Sequence, residues 1–458
     1  MKTVEYVQMF GSPDGKRLLQ KALTTSITSG GPAIEEHLET IITNEMVRLV
    51  PELAVIETKY DPQDIHRFSR LVDLPAPGSA MGQNSVTPTT SSQLEKATTT
   101  MKVMKRKGSV TGLLKAAASK NYDMVEMETE NQIQAFANDL VTYLYHGNKD
   151  ADAYTFDGWN KFIATYRKNE TWGGTVPASL AVLDGMIDSS NRRKGQPHRR
   201  CFVMSPEMLT KLSGFYTNIR DNRDANNDGT NALMINGGWR LQTYRGIPIL
   251  ESSSTRPLAQ MTAVTAGHAG AGSALADKTR YFQVAPVTWD GEQIASAQVS
   301  DTSSSSDTVT LSWTAYPKAL FYYIYCSETT GQAKLTRVIA AKNYDGDGTP
   351  TTAVTGITFA TDPLTANDSV PTHMQDDRPF NYTGGIAPET IYLLDLDTYQ
   401  GMGKFAYTNE DGGRLDGLVS VIPLAKVDDH DDFLLKCYGA LIDAFEATCG
   451  MHRGLRVA

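Results

Sequence analysis

Between Asp61 and Gly108 the chain runs for nearly fifty residues with almost nothing to build a core from. The middle of this stretch, 74–100, reads LPAPGSAMGQNSVTPTTSSQLEKATTT, and the basic segment MKVMKRKGSV follows it. Structureless connections beyond about 12–15 residues are uncommon in compact domains. A stretch this long that folds must be ordered from outside its own domain, and a partner subunit is the obvious source. The rest of the chain has material for cores. Of its 458 residues 40% are hydrophobic and 21% charged, which is the composition of a globular chain. That length suits about three average domains, or one large domain with an insertion.

The balance of 43 basic against 52 acidic residues gives a formal charge of -9, which argues against a dedicated nucleic-acid binder with a basic surface. Cys201, Cys326, Cys437 and Cys449 form no close pairs, so neither a disulfide scaffold nor a CxxC metal or redox motif is expected. No apolar run approaches the roughly 18 residues that span a bilayer. The opening segment MKTVEYVQMFGSPDGK lacks an apolar core and a cleavage site, so folding in a cytosol is expected.

Along the chain, the first 25 residues read as an arm. Ile34, Leu38, Ile41 and Ile42 then share a helical face that closes before Pro51. The clearest helix is 125–146, with Ile133, Phe136, Ala137, Leu140, Val141 and Leu144 at helical spacing and Gly147 at the C-terminal cap. A second covers Ala178–Ile187, followed by RRKGQPHRR and the short apolar strand CFVMS. Ser205-Pro206-Glu207 then starts another helix as N-cap and first-turn proline. Gly237–Leu250 alternates like a hairpin. From Tyr281 to Pro363 serine and threonine dominate and the period becomes two: Val309, Leu311 and Trp313 share one face, and Tyr322 and Ile324 share one on the next strand. Short alternating strands at this spacing predict a small antiparallel sandwich interrupting an α+β body.

No GxSxG, HExxH, Walker A or GxGxxG element is present. Asp224–Gly229 and Asn343–Gly348 begin like EF-hand loops, but the twelfth position, a bidentate glutamate in that motif, is Ile235 in one and Val354 in the other. Both are expected to be turns, where Asp and Asn crowd for backbone reasons. The run Asp428-Asp429-His430-Asp431-Asp432 reads as a solvated turn. Arg192, Arg193, Lys194, Arg199 and Arg200, and likewise Lys102, Lys105, Arg106 and Lys107, are candidates for ion pairs between subunits, or alternatively for phosphate contact. No catalytic, cofactor-binding or metal-ligating constellation stands out, and no enzyme activity or cofactor is expected.

The order of these pieces resembles the major capsid proteins of tailed bacteriophages, with their Hong Kong 97-type fold. The stretches that carry the resemblance are the polar arm, the hairpin at 61–110 and the helix ending YLYHGN. After them come YTFDGWNKFIATYRKNE, TVPASLAVLDGMIDSSNRRKGQPHRRCFVMSPEMLTKL and the closing FLLKCYGALIDAFEATCGMHRGLRV. The resemblance implies an arm and helix at 1–60, an extended E-loop at 61–110 and a peripheral domain with spine helix at 111–235. It also implies an axial domain in two parts, 236–280 and 364–432, and a C-terminal return to the peripheral domain at 433–458. The insert, 281–363, is similar to a fibronectin type III or immunoglobulin-like sandwich. TVTLSW is similar to its second strand and FYYIYCS to its third, while YFQVAPVTWDGEQ, like that family's final strand, comes first. With four basic and eight acidic residues, the insert is expected to project outward as a separately folded unit.

The implied function is assembly into hexamers and pentamers of an icosahedral head enclosing double-stranded DNA, with E-loops lying across neighbouring copies. The implied partners are further copies, portal and scaffolding proteins, a decoration protein and, non-specifically, the packaged DNA; no membrane is involved. Assembly would take place in the host cytoplasm and the product would be the virion. Two rivals are a cell-surface adhesin, disfavoured by the missing signal peptide, and a polysaccharide-processing enzyme, whose carboxylates would leave little local signature.

Overall fold

The computed structural model describes residues 51–61, 63–73, 91–118, 123–164, 166–169, 178–194, 199–212, 233–235, 239–241, 243–269, 277–303, 307–364, 369–381, 388–396, 404–407, 419–425, 429–442 and 448–456. The predicted helix before Pro51 and the loop Asp224–Gly229 lie outside them. The architecture is α+β, built from three strand assemblies and one long helix.

That helix is Met124–His146. Asp123 caps it, its carboxylate accepting from the backbone N–H of Val125 at 3.0 Å and Glu126 at 3.3 Å. Phe136, Leu140, Val141, Leu144 and Tyr145 fall on one face at helical spacing and are buried in the main core. The helix stops at Gly147, and the chain returns across it at Gly158. A Cβ on Gly158 would lie 2.6 Å from the Tyr143 carbonyl oxygen, so only glycine fits there.

The long helix packs on a five-stranded sheet whose backbone is His430–Ile442. On one side this strand pairs antiparallel with Lys102–Thr111; on the other it pairs with Ser420–Pro423 and Lys404–Tyr407. Glu57–Tyr60 adds a parallel edge. The segment 61–110 is therefore not one hairpin. Ile65–Asp73 pairs with Gln93–Thr100, but from Lys102 onward the chain belongs to the body. Met104 leans on the core while Lys105 and Lys107 face out, so a strand with alternating sides can carry that many charges.

A second, six-stranded sheet runs in the order Tyr166–Asn169, Gly450–Leu455, Glu389–Asp395, Arg200–Met204, Ile247–Glu251, Thr243–Tyr244. It is buried on both faces, which explains the apolar run CFVM. Phe202 and Met204 meet the helix Leu180–Lys194 and the helix after Ser205, whereas Cys201 and Val203 meet the main core. Ser205 caps that second helix, its Oγ accepting from the Met208 N–H at 3.1 Å. Arg245 and Gly246, at φ 49° and 79°, make the tight turn into Ile247–Glu251. The expected division does not follow the sheets in three places. The stretch 111–235 splits between the two; so does 364–432, with Glu389–Asp395 in the six-stranded sheet and Lys404–Tyr407 and Ser420–Pro423 in the five-stranded one; and so does 433–458, with His430–Ile442 in one and Gly450–Leu455 in the other.

The third assembly is a two-sheet sandwich. Thr265–Ala269, Thr308–Ser312 and Gly356–Phe359 form one sheet. Lys278–Thr288, Gly291–Glu292, Val299–Ser303, Phe321–Ser327 and Lys334–Ala340 form the other. Val309, Leu311, Trp313, Tyr322 and Ile324 are all buried in the single core between them. The sandwich begins before 281, because Thr265–Ala269 is one of its strands. Its larger sheet is also not half-buried: all seven residues of Phe321–Ser327 are buried. The far side, carrying Phe321, Tyr323 and Tyr325, packs against Tyr143 of the long helix and against 370–374.

Candidate functional site

Two regions stand out, one open and one closed. The open one is the hairpin Ile65–Asp73/Gln93–Thr100. Its base is fastened: the Met101 N–H donates to the Asp64 carbonyl at 2.8 Å, His66 lies 2.5 Å from Asp61, and Phe68 reaches the main core. The hydrogen bond with His66 holds the Asp61 carboxyl below its usual range. Beyond the base the strand Gln93–Thr100 has no buried residue, and Leu94 is 73% exposed. Strands of this length reach about 26–30 Å, and an isolated two-stranded sheet is marginal in water.

The exposed apolar side chains are spread over the hairpin and both ends of the Lys102–Thr111 strand. Among the described residues eight large ones are exposed, and six of them, Tyr60, Leu94, Val103, Leu113, Leu114 and Leu424, belong to the hairpin, the five-stranded sheet or its adjoining turns. The helix Gly112–Ala118 buries none of its residues, and Leu113 is 77% exposed.

The candidate intersubunit cations mostly have partners within the chain. Arg106 donates to Gln132 at 2.5 Å and to Asp139 at 2.8 Å on the long helix. Lys107 pairs with Asp432 at 2.6 Å, and Lys102 donates to the Ala153 carbonyl at 2.6 Å. Arg199 lies 3.4 Å from Glu57, and Arg200 donates to Asn191 at 2.9 Å. Lys105 is exposed and has no ion-pair partner among the described residues. Arg192, Arg193 and Lys194 end the helix Leu180–Lys194, and their side chains lie outside the description. The acidic run is not merely a solvated turn, since Asp431 pairs with Lys115 at 2.6 Å and Asp432 with Lys107. At Asn343–Gly348 the Asp345 carboxylate accepts from the N–H groups of Asp347 and Thr349 at 3.1 and 2.7 Å. Among the described residues no group of three or more His, Cys, Asp or Glu could hold a metal ion.

The closed region joins sandwich to body. Arg453, on the closing strand, pairs with Glu292 of the sandwich and, at 2.5 Å, with Asp377. Arg167 holds Asp377 from the other side, Nε to Oδ1 at 2.9 Å. The Tyr325 hydroxyl donates to Glu292, and the Phe380 ring lies 4.8 Å under the Arg453 guanidinium. Burial raises Glu292 to about 7, while the two arginines hold Asp377 below its ordinary value against the opposing effect of burial. Sequence reasoning missed this cluster because Arg453 and Glu292 stand 161 residues apart. The one local signal was an arginine inside an otherwise buried closing strand.

No protein-family model matches the chain, and no curated protein matches it. Several solved structures do. The holo-SrpI encapsulin complex of Synechococcus elongatus PCC 7942 matches with a TM-score of 0.48 and 11% identity, covering 93% of this chain and 95% of that one. The cyanophage A-1(L) capsid asymmetric unit matches at 0.46 and 12%, covering 93% and 98%. The capsid of a native GTA particle matches at 0.43 and 10%, covering 94% and 99%.

Proposed function

We propose that this chain is the repeating subunit of a closed protein shell, a major capsid protein that builds hexamers and pentamers of an icosahedral phage head around double-stranded DNA. The observation that carries this reading is the hairpin. A fastened base and a strand, Gln93–Thr100, with no buried residue form a poor structure for a monomer and a natural one for a chain that finishes folding against its neighbour. Leu94 on that arm and Val103 beside its base supply exposed apolar surface of the kind that repeated subunits cover.

On this reading the five-stranded sheet and the long helix are the peripheral domain, the six-stranded sheet is the axial domain, and the hairpin is the E-loop. The net charge of -9 suits a lining that must not hold phosphates tightly, since tight phosphate binding would impede packaging and release. Portal, scaffolding and decoration proteins would be the further partners, and the virion the destination. Lys105 and the Arg192-Arg193-Lys194 cluster are left as the subunit-contact candidates. The test is size-exclusion chromatography with negative-stain microscopy: capsomers or particles support the proposal, and elution near the 50.1 kDa chain mass under every condition opposes it.

A further inference from the structure

The joint between sandwich and body closes around one histidine. His146 is the last residue of the long helix, and its Nδ1 lies 3.0 Å from the Tyr323 hydroxyl of the sandwich and 2.9 Å from Asn160 Nδ2. The Asn160 amide is oriented from its far side, where Oδ1 accepts from the Tyr392 hydroxyl at 2.9 Å. An amide nitrogen can only donate. Nδ1 must therefore accept, and the ring sits in the joint as neutral imidazole.

The surrounding charges impose the same requirement. Arg453 from the closing strand and Arg167 from the sheet edge bring two positive charges. Glu292 from the sandwich and Asp377 from the segment that follows it bring two negative ones, and the four are paired with one another. Tyr323 and Tyr325 of the sandwich, Tyr392 of the six-stranded sheet, Tyr145 of the helix itself and His373 against the Asn160 carbonyl complete the titratable surroundings. A proton on His146 would add a third positive charge beside Arg453 and Arg167 and turn a donor toward donors.

We propose that His146 is an acid-released latch: the sandwich stays seated on the long helix while the imidazole is neutral, and it unseats when the imidazole takes a proton. Burial, then Arg453 and Arg167, push the imidazole down to about 3. A group depressed in this way gives stability that is complete above its unfolded value near 6.5 and is lost as pH falls toward the folded value. Glu292 works in the opposite sense, because burial raises it to about 7 and acid therefore favours its seated form.

The experiment compares the full chain with His146→Gln, whose amide can accept where the imidazole does but cannot titrate. Opening is read as the protection of the Trp289 indole N–H, which crosses the joint to donate to Asp139 of the long helix at 2.6 Å, from hydrogen exchange at pH 7 and pH 5, corrected for intrinsic rates. Glu292 is present in both proteins, so the quotient isolates His146. Between the two pH values the wild type should lose about 25-fold more protection than the variant. An equal loss in both would overturn the proposal. A variant that does not fold leaves the wild type to decide, by NMR titration of its labelled histidines. A His146 signal that stays neutral to pH 4.5 supports the latch, and one that titrates near 6.5 in the folded chain contradicts it.

Discussion

Trp313 lies against Tyr322, ring centroids 5.2 Å apart, in the core between the two sandwich sheets. Trp313→Ala should cost about 3–5 kcal/mol of sandwich stability in denaturant melts. Trp313→Phe should cost clearly less, because the buried indole N–H has no hydrogen-bond partner among the described residues and its loss removes an unsatisfied donor. Arg453→Met should also cost about 3–5 kcal/mol, since Glu292 and Asp377 would stay buried without their shared cation. Arg453→Met combined with Glu292→Gln should be milder than the single change, and a milder double variant is what a charge-balance role requires. The two kinds of residue were not equally legible. Val309, Leu311 and Trp313 announce their burial by alternating with threonine and serine. The partners of Arg453 come from 76 and 161 residues away, and nothing local marks a buried guanidinium.

At the scale of elements, the long helix was plain in the sequence because its apolar face repeats over about three turns, from Ile133 to Leu144, and a glycine stops it. Asp123→Ala should lower its stability by about 1 kcal/mol through the lost cap, measurable by thermal melting of the full chain. The hairpin was legible only by what it lacks, and for that reason its end was misplaced. The strand Lys102–Thr111 looks as polar as the loop before it, and its burial comes from pairing with His430–Ile442, more than three hundred residues on. The two-sided burial of Phe321–Ser327 was hidden for a related reason, since tyrosines at 323 and 325 read equally well as a wet or a dry face. Deleting 75–98 should leave the circular dichroism spectrum of the body intact while abolishing particles on electron microscopy. Normal particles from that deletion would mean that the hairpin is dispensable.

For the whole molecule, the sandwich is seated as well as inserted. Its larger sheet is covered on one side by its own core and on the other by the long helix, 370–374 and the Arg453 cluster. Replacing 265–359 with a short Gly/Ser linker should therefore destabilise the body, because it exposes Tyr143 and removes the Glu292 carboxylate from Arg453. A linker-bearing body as stable as the full chain would show that the joint contributes little. The central claim, a shell subunit whose hairpin is completed by a neighbour, is tested most directly by cryo-electron microscopy of the full chain, purified alone and after co-expression with candidate scaffolding proteins. The account predicts capsomers or closed shells in which Gln93–Thr100 lies against an adjacent copy. A well-folded monomer under both conditions, or particles whose hairpins touch only their own subunit, would contradict it.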